Sequence, residues 1–190
     1  MRVRTVIPTL SLAALCVLPT AGLAQDEMAR EDAAEREALI ASAMSAAPDA
    51  VSADATIMDA LGNVLVEGSN GYTCLADDPA IPGESPFCAD AAWMAWVDAL
   101  LSGETPPTPE APAFLYALRG GWPASNVDPG ASGPTDDNEW IGPPGPHIAV
   151  LVPDVAMLEG TPTAHDNGGP WIMWRDTPYV HLMIPTSKKE

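Results

Sequence analysis

The head of the chain sets the strongest constraint on its fold, because it fixes the compartment. Met1-Arg2-Val3-Arg4 is a short basic start, Leu10–Leu18 is apolar, Pro19 breaks that stretch, and Gly22 and Ala24 are small residues of the kind a leader peptidase reads. The expectation is a signal peptide over residues 1–24, cut between Ala24 and Gln25, and a mature chain that folds in the periplasm or outside a bacterial cell. The apolar stretch is too short for a bilayer, which takes about 20 residues. Leu15 is too large to precede a lipidated cysteine at Cys16, and Val3 separates the two arginines, so neither a lipid anchor nor a twin-arginine route is indicated. After cleavage two cysteines remain. In an oxidising compartment Cys74 and Cys88 are expected to form a disulfide, closing a loop whose chain-entropy contribution is about 3 kcal/mol. The enclosed segment holds Pro79, Pro82, Gly83 and Pro86 and little apolar matter, so it needs such a staple.

The chain after residue 24 is long enough for one domain with a real core, and residues 25–190 read as that domain. The formal net charge is −18, more negative still once Arg2 and Arg4 leave with the leader. An anionic surface of this kind repels phosphate backbones and anionic headgroups, which argues against nucleic acid or simple electrostatic membrane binding. No later stretch is long and apolar enough for a membrane helix.

Residues 26–46 read as a helix: charged on all sides at first, so that 25–35 is a solvated extension, then carrying the stripe Leu39, Ile40, Ala43, Met44 and Ala47 until Pro48 stops it. Two β-prone runs come next, Ala55–Asp59 and Asn63–Gly68, with a turn near Leu61-Gly62. Asn70-Gly71 signals a hairpin joining Val64–Val66 to Tyr72–Cys74. Asp90 caps a second helix, Ala91–Ser102, ended by Gly103, with Trp93, Trp96, Val97, Leu100 and Leu101 as its apolar set. Ala113–Leu118 reads as a strand, Trp122–Gly145 as a long irregular loop, and Asp154–Leu158 as a helical turn. Two proline-bracketed runs, Pro146–Pro153 and Pro178–Pro185, read as strands, the second paired with Trp171–Trp174 through a turn at Arg175–Pro178. The fold class is α+β: an antiparallel sheet of about six strands, two main helices and one disulfide-stapled loop.

Strand side chains alternate between faces. Ile148, Val150 and Val152, with Val180, Leu182 and Ile184, give a purely aliphatic face that is expected to be core. The opposite face carries His147 and, on the second strand, Tyr179, His181 and Met183; pairing across the hairpin adds Trp174 and Ile172. This mixed seam is the best site candidate, and it supports two readings. Two imidazoles with a thioether suit copper, whereas zinc prefers a third nitrogen or a carboxylate. Alternatively the seam is structural, each histidine bonded to a backbone carbonyl or carboxylate and the methionine filling a gap.

His165-Asp166 sits among turn formers, as a solvated loop or a dyad. Asp136, Asp137 and Glu139 match a calcium loop in composition but not in order. There is no G-x-S-x-G elbow, no Walker loop and no dinucleotide fingerprint, so no catalytic residue is assigned.

The mature chain resembles a group of uncharacterised exported bacterial proteins. The resemblance rests on Asn70-Gly71-Tyr72-Thr73-Cys74, on Cys88 before a Trp-rich helix, on Gly145-Pro146-His147, and on Gly168-Gly169-Pro170 through Met173-Trp174 to Thr177–His181. It covers most of residues 30–185 and implies one exported domain, with no activity to carry over. The leading functional expectation is an exported accessory protein that binds a small molecule or a protein without doing chemistry. A periplasmic copper protein using His147, His181 and Met183 is the alternative, and a hydrolase with His165-Asp166 or His147 as base is the third.

Overall fold

The computed structural model describes residues 21–187, and the chain divides into two compact units that part between Ala34 and Glu35. Most of the expected leader, and Cys16, lie outside the described residues. Helix α1 (Ala21–Met44) is rich in Ala and Glu, both good helix formers. Its residues 25–38 are exposed, as a stretch charged on every side must be. Within the second unit Leu39, Ile40, Ala43 and Met44 pack with Ile57, Cys74 and Cys88. The helix ends at Met44, short of Ala46, and Pro48 opens the next helical turn, α2 (Asp49–Ser52), rather than stopping the first. Proline suits that place because the first N–H groups of a helix have no internal partner.

β1 (Thr56–Met58) and β2 (Val64–Val66) form the expected antiparallel pair. The Asp59 carboxylate closes their turn, accepting from the Asn63 side chain (2.8 Å) and from the backbone N–H groups of Asn63 (2.8 Å) and Leu61 (2.9 Å). Those bonds, the Asn63 side chain first, hold its carboxyl below the usual range. The expected hairpin between β2 and β3 (Tyr72–Leu75) does not form. β1 lies between them, antiparallel to β2 and parallel to β3. Asn70-Gly71 still makes a turn, with Gly71 at φ 82, but it is anchored sideways: Asn70 accepts from the Tyr72 N–H (3.0 Å) and donates to the Val51 carbonyl (2.7 Å).

β4 (Phe87–Asp90) runs antiparallel to β3 and sets Cys74 directly opposite Cys88, where the two are joined in a disulfide and fully buried. Asp90 then does two jobs. One carboxylate oxygen caps α3 (Ala91–Ser102) by accepting from the Trp93 N–H (3.0 Å), and the other accepts from the Phe114 N–H (2.6 Å) of the next strand, β5 (Ala113–Ala117). Gly103, at φ 70, ends the helix as expected. Trp93, Trp96 and Ala99 are buried, while Leu101, expected on the same stripe, is exposed; five positions from Trp96 turn it about 140° away.

The segment read as one long loop contains a small ribbon, β6 (Ala124–Ser125) paired with β7 (Trp140–Ile141). β8 (His147–Leu151) comes next, then a 3₁₀ turn (Val155–Leu158), β9 (Trp171–Met173) and β10 (His181–Pro185). The fold is α+β with eight strands rather than about six in the main sheet, in the order β2-β1-β3-β4-β5-β8-β10-β9 and mostly antiparallel.

Two expectations about the last strands are corrected. The hairpin turn runs from Trp174 to Val180, with Trp174 and Asp176 at positive φ, so the register pairs His181 with Met173 and Met183 with Trp171. Ile172 faces Leu182 on the other side of the sheet. The aliphatic face is also not the main core: His147, Ala149, Leu151, His181 and Met183 are buried, whereas on the aliphatic face Val150 and Ile172 are buried but Ile148, Val152, Val180, Leu182 and Ile184 are only half-buried. The reason is what covers each side. The indoles of α3 pack on the His/Met face and form the larger apolar cluster with Phe87, Leu115, Trp171 and Met173.

Replacing both cysteines, Cys74→Ala with Cys88→Ala, should lower the unfolding free energy by about 3 kcal/mol, since the cross-link restricts the unfolded chain. Urea unfolding of the double variant measures this. An unchanged midpoint would mean that strand pairing alone holds β3 to β4.

Candidate functional site

The buried face of the sheet is the floor of a cleft of about 750 Å³. α3 forms one wall, the segment from Asp78 to Ser85 another, and the segment from Gly120 to Pro144 the third. All six tryptophans of the chain line it: Trp93, Trp96, Trp122, Trp140, Trp171 and Trp174. They come from α3, β7, β9 and the loops beside them, so the convergence is a product of the fold and not of sequence proximity. Among the described residues Asp78 is the one charged side chain of the lining, which holds no lysine or arginine among them.

His181 stands at the centre of the aromatic end. Its ring meets Trp174 at 5.2 Å, Trp96 at 5.4 Å and Trp93 at 5.5 Å, each nearly edge-to-face. Such pairs contribute about 0.5–1.5 kcal/mol beyond area burial. Trp96 in turn stacks on Trp174, with planes 7° apart and centroids at 5.6 Å. Trp174 reaches this position because the backbone turns at positive φ there; its N–H donates to the Ser125 carbonyl (2.6 Å), as that of Trp93 does to the Ala113 carbonyl (3.0 Å). The indole N–H groups of Trp96 and Trp171 are buried and have no partner among the described residues. A buried unpaired donor costs about 1–3 kcal/mol.

His181 Nδ1 lies 2.9 Å from the Tyr179 carbonyl, and His147 Nδ1 lies 2.8 Å from the Gly145 carbonyl. A carbonyl only accepts, so both neutral rings carry their proton on Nδ1 and keep a lone pair on Nε2. Burial pushes His181 down from 6.5 to about 4, opposed by the bond to Tyr179 and helped by His147. Burial also lowers His147, against the bond to Gly145. The two histidines share the cleft but not a point in it. His147 pairs with Pro185, four residues along β10 from His181, which is about 13 Å of strand. The two side chains start from backbone positions four residues apart, and the His147 ring is still near enough to help lower His181. His147 sits beside Gly121, where an added Cβ would come within 3.0 Å of its Cε1.

The other sequence candidates divide. Met183 is buried on the His181 face, with Met173, not Ile172, as the cross-strand neighbour of His181. Tyr179 precedes the strand; its ring packs edge-on against Trp96 (5.8 Å), and its hydroxyl donates to the Glu104 carbonyl (2.8 Å). His165 is half-buried and Asp166 exposed, both outside the cleft lining, and Asp136, Asp137 and Glu139 are exposed. Among the described residues no group of three or more His, Cys, Asp or Glu side chains comes together to hold a metal ion. The Ser85 hydroxyl, in the cleft wall, is tied to Asp77 (3.2 Å). Sequence reasoning missed Met173, Trp171, Trp122 and Trp140. A one-residue shift of the hairpin register would have found the first two; nothing local marks the others.

Comparison with known protein families, curated proteins and solved structures gives no match.

The depressed His181 value fixes a sign. The unfolded ring binds its proton near 6.5 and the folded ring only near 4, so His181 favours the folded state above 6.5 and loses that contribution as pH falls toward 4. The full difference is about 3 kcal/mol. The unfolding free energy of the wild type should therefore fall, relative to His181→Phe, by up to about that amount between pH 7 and pH 4. Parallel pH dependences for the two proteins would show that the ring is not held neutral by the fold.

Proposed function

We propose that the chain is an exported bacterial protein, periplasmic or secreted, that binds a small, largely apolar molecule in the tryptophan-lined cleft without transforming it. The observation that carries the reading is the convergence of every tryptophan of the chain on one cleft. Apolar concave sites with a few placed polar groups are the usual form of small-molecule sites. Trp96 and Trp171, both of the lining, carry buried indole N–H groups with no partner among the described residues, a reserve of donors beside an otherwise apolar site. The lack of cationic lining and the net charge of −18 favour an uncharged ligand over an anion. Export is supported by the leader-like start and by the Cys74–Cys88 disulfide, and among the described residues no helix is long and apolar enough to cross a membrane.

Hydrolysis is less well supported than binding: the Ser85 hydroxyl already serves Asp77, and His165-Asp166 lies away from the cleft. A single copper ion shared by His147 and His181 is disfavoured by their separation along the sheet.

Titration with N-phenyl-1-naphthylamine, an uncharged dye, should give saturable one-to-one binding with quenching of indole emission, and the dye should be recovered unchanged. Trp122→Ala, at the partly exposed rim, should weaken the dye by about tenfold while leaving the melting temperature near that of wild type. Absence of saturable binding would contradict the reading.

A further inference from the structure

The register of the last hairpin places three soft donors together. His181 faces Met173 directly across β9 and β10, and Met183 lies two residues further along on the same face. Opposite residues hold their Cβ atoms about 4.5–5.5 Å apart and diagonal ones about 7–8 Å, within reach of two flexible thioethers and an imidazole. All three side chains are buried, and all three line the cleft.

We propose that His181 Nε2 and the sulfur atoms of Met173 and Met183 form a binding site for one soft monovalent cation, copper(I) or silver(I). The donor chemistry selects the ion. Thioethers prefer copper(I), whereas zinc, calcium and magnesium require the carboxylates or additional nitrogens that this end of the cleft lacks. The imidazole is prepared for the role. Its Nδ1–H is engaged by the Tyr179 carbonyl at 2.9 Å, which fixes the ring and leaves the Nε2 lone pair free, the arrangement by which metal-binding histidines are usually oriented. The ring is held neutral by burial, so no proton has to be displaced first. Trp93, Trp96 and Trp174 within 5.5 Å of the imidazole exclude water and offer π-electron density to a cation. The overall charge of −18 draws cations toward the protein. His147 is given no part in it, its backbone lying about 13 Å along the strand from that of His181. The inference does not rest on the small-molecule reading of the cleft.

The test uses the intact mature protein, with silver(I) measured by calorimetry in nitrate buffer and copper(I) by competition with bathocuproine disulfonate. One ion per chain is expected, with affinity reduced roughly 100-fold in His181→Gln and at least about tenfold in Met173→Leu and in Met183→Leu, and unchanged in His147→Gln. In wild-type mature protein carrying ¹³C-methyl methionine, two of its seven methionine signals (the eight of the full sequence without Met1) should shift at one equivalent of silver(I). That readout needs no variant to fold. Absence of stoichiometric binding, binding that survives loss of both thioethers, or equal loss in His147→Gln would each overturn the assignment. N-phenyl-1-naphthylamine titrated alongside separates the outcomes: dye binding without silver binding removes the metal site and leaves the cleft reading intact.

Discussion

The packing of Trp93 and Trp96 onto the His/Met face of the sheet is the contact on which the rest of the structure depends. It decides which side of β8 and β10 is buried, and it brings a polar ring into the core with its one proton donated to a neighbouring carbonyl. A histidine can be buried at modest cost only when it is neutral and bonded. The Tyr179 carbonyl supplies the bond, and burial, which that bond opposes, lowers the ring's proton affinity. Asp90 connects this packing to the chain, since one carboxylate starts α3 while also holding the neighbouring strand β5. The angle at which α3 leaves the sheet is thereby tied to the strand beneath it.

Around that contact the molecule separates structural from available polar groups. Trp93 and Trp174 donate their N–H groups to backbone carbonyls and so fix the positions of the indoles. Trp96 and Trp171 do not, although they belong to the same aromatic wall. The hydroxyl of Tyr179 is likewise engaged, with the Glu104 carbonyl, which pins the turn before β10 to the segment after α3. On the far side of the sheet, the second half of α1 packs over the disulfide-bonded pair and Ile57, a separate cluster of mostly small side chains.

Much of this architecture is legible in the sequence, and the failures have physical reasons. α3 is marked at both ends, by Asp90 and Gly103, and its two tryptophans by helical spacing; these signals are local and strong. The Cys74–Cys88 disulfide is the pairing expected from the leader-like start and the cysteine count. Asn70-Gly71 is a sound turn signal that suggests the wrong connection, because no local pattern announces that β1 will insert between β2 and β3. The aliphatic alternation on β8 and β10 identifies two faces but not which is covered, a matter settled by α3 from a distance in the sequence. The register error at Trp174 hides Met173, since a one-residue slip exchanges the faces of a strand. A tryptophan at positive φ is rare enough that residue type alone does not suggest it.

At the centre of the cleft, His181 is a neutral ring, protonated on Nδ1 by its bond to the Tyr179 carbonyl, with the lone pair on Nε2. Long-range ¹H–¹⁵N NMR of histidine-labelled protein reads this directly. At pH 7 an Nδ1 signal of the N–H type and an Nε2 signal of the unprotonated type are expected for His181. The reverse tautomer, or a ring already charged at that pH, would contradict it.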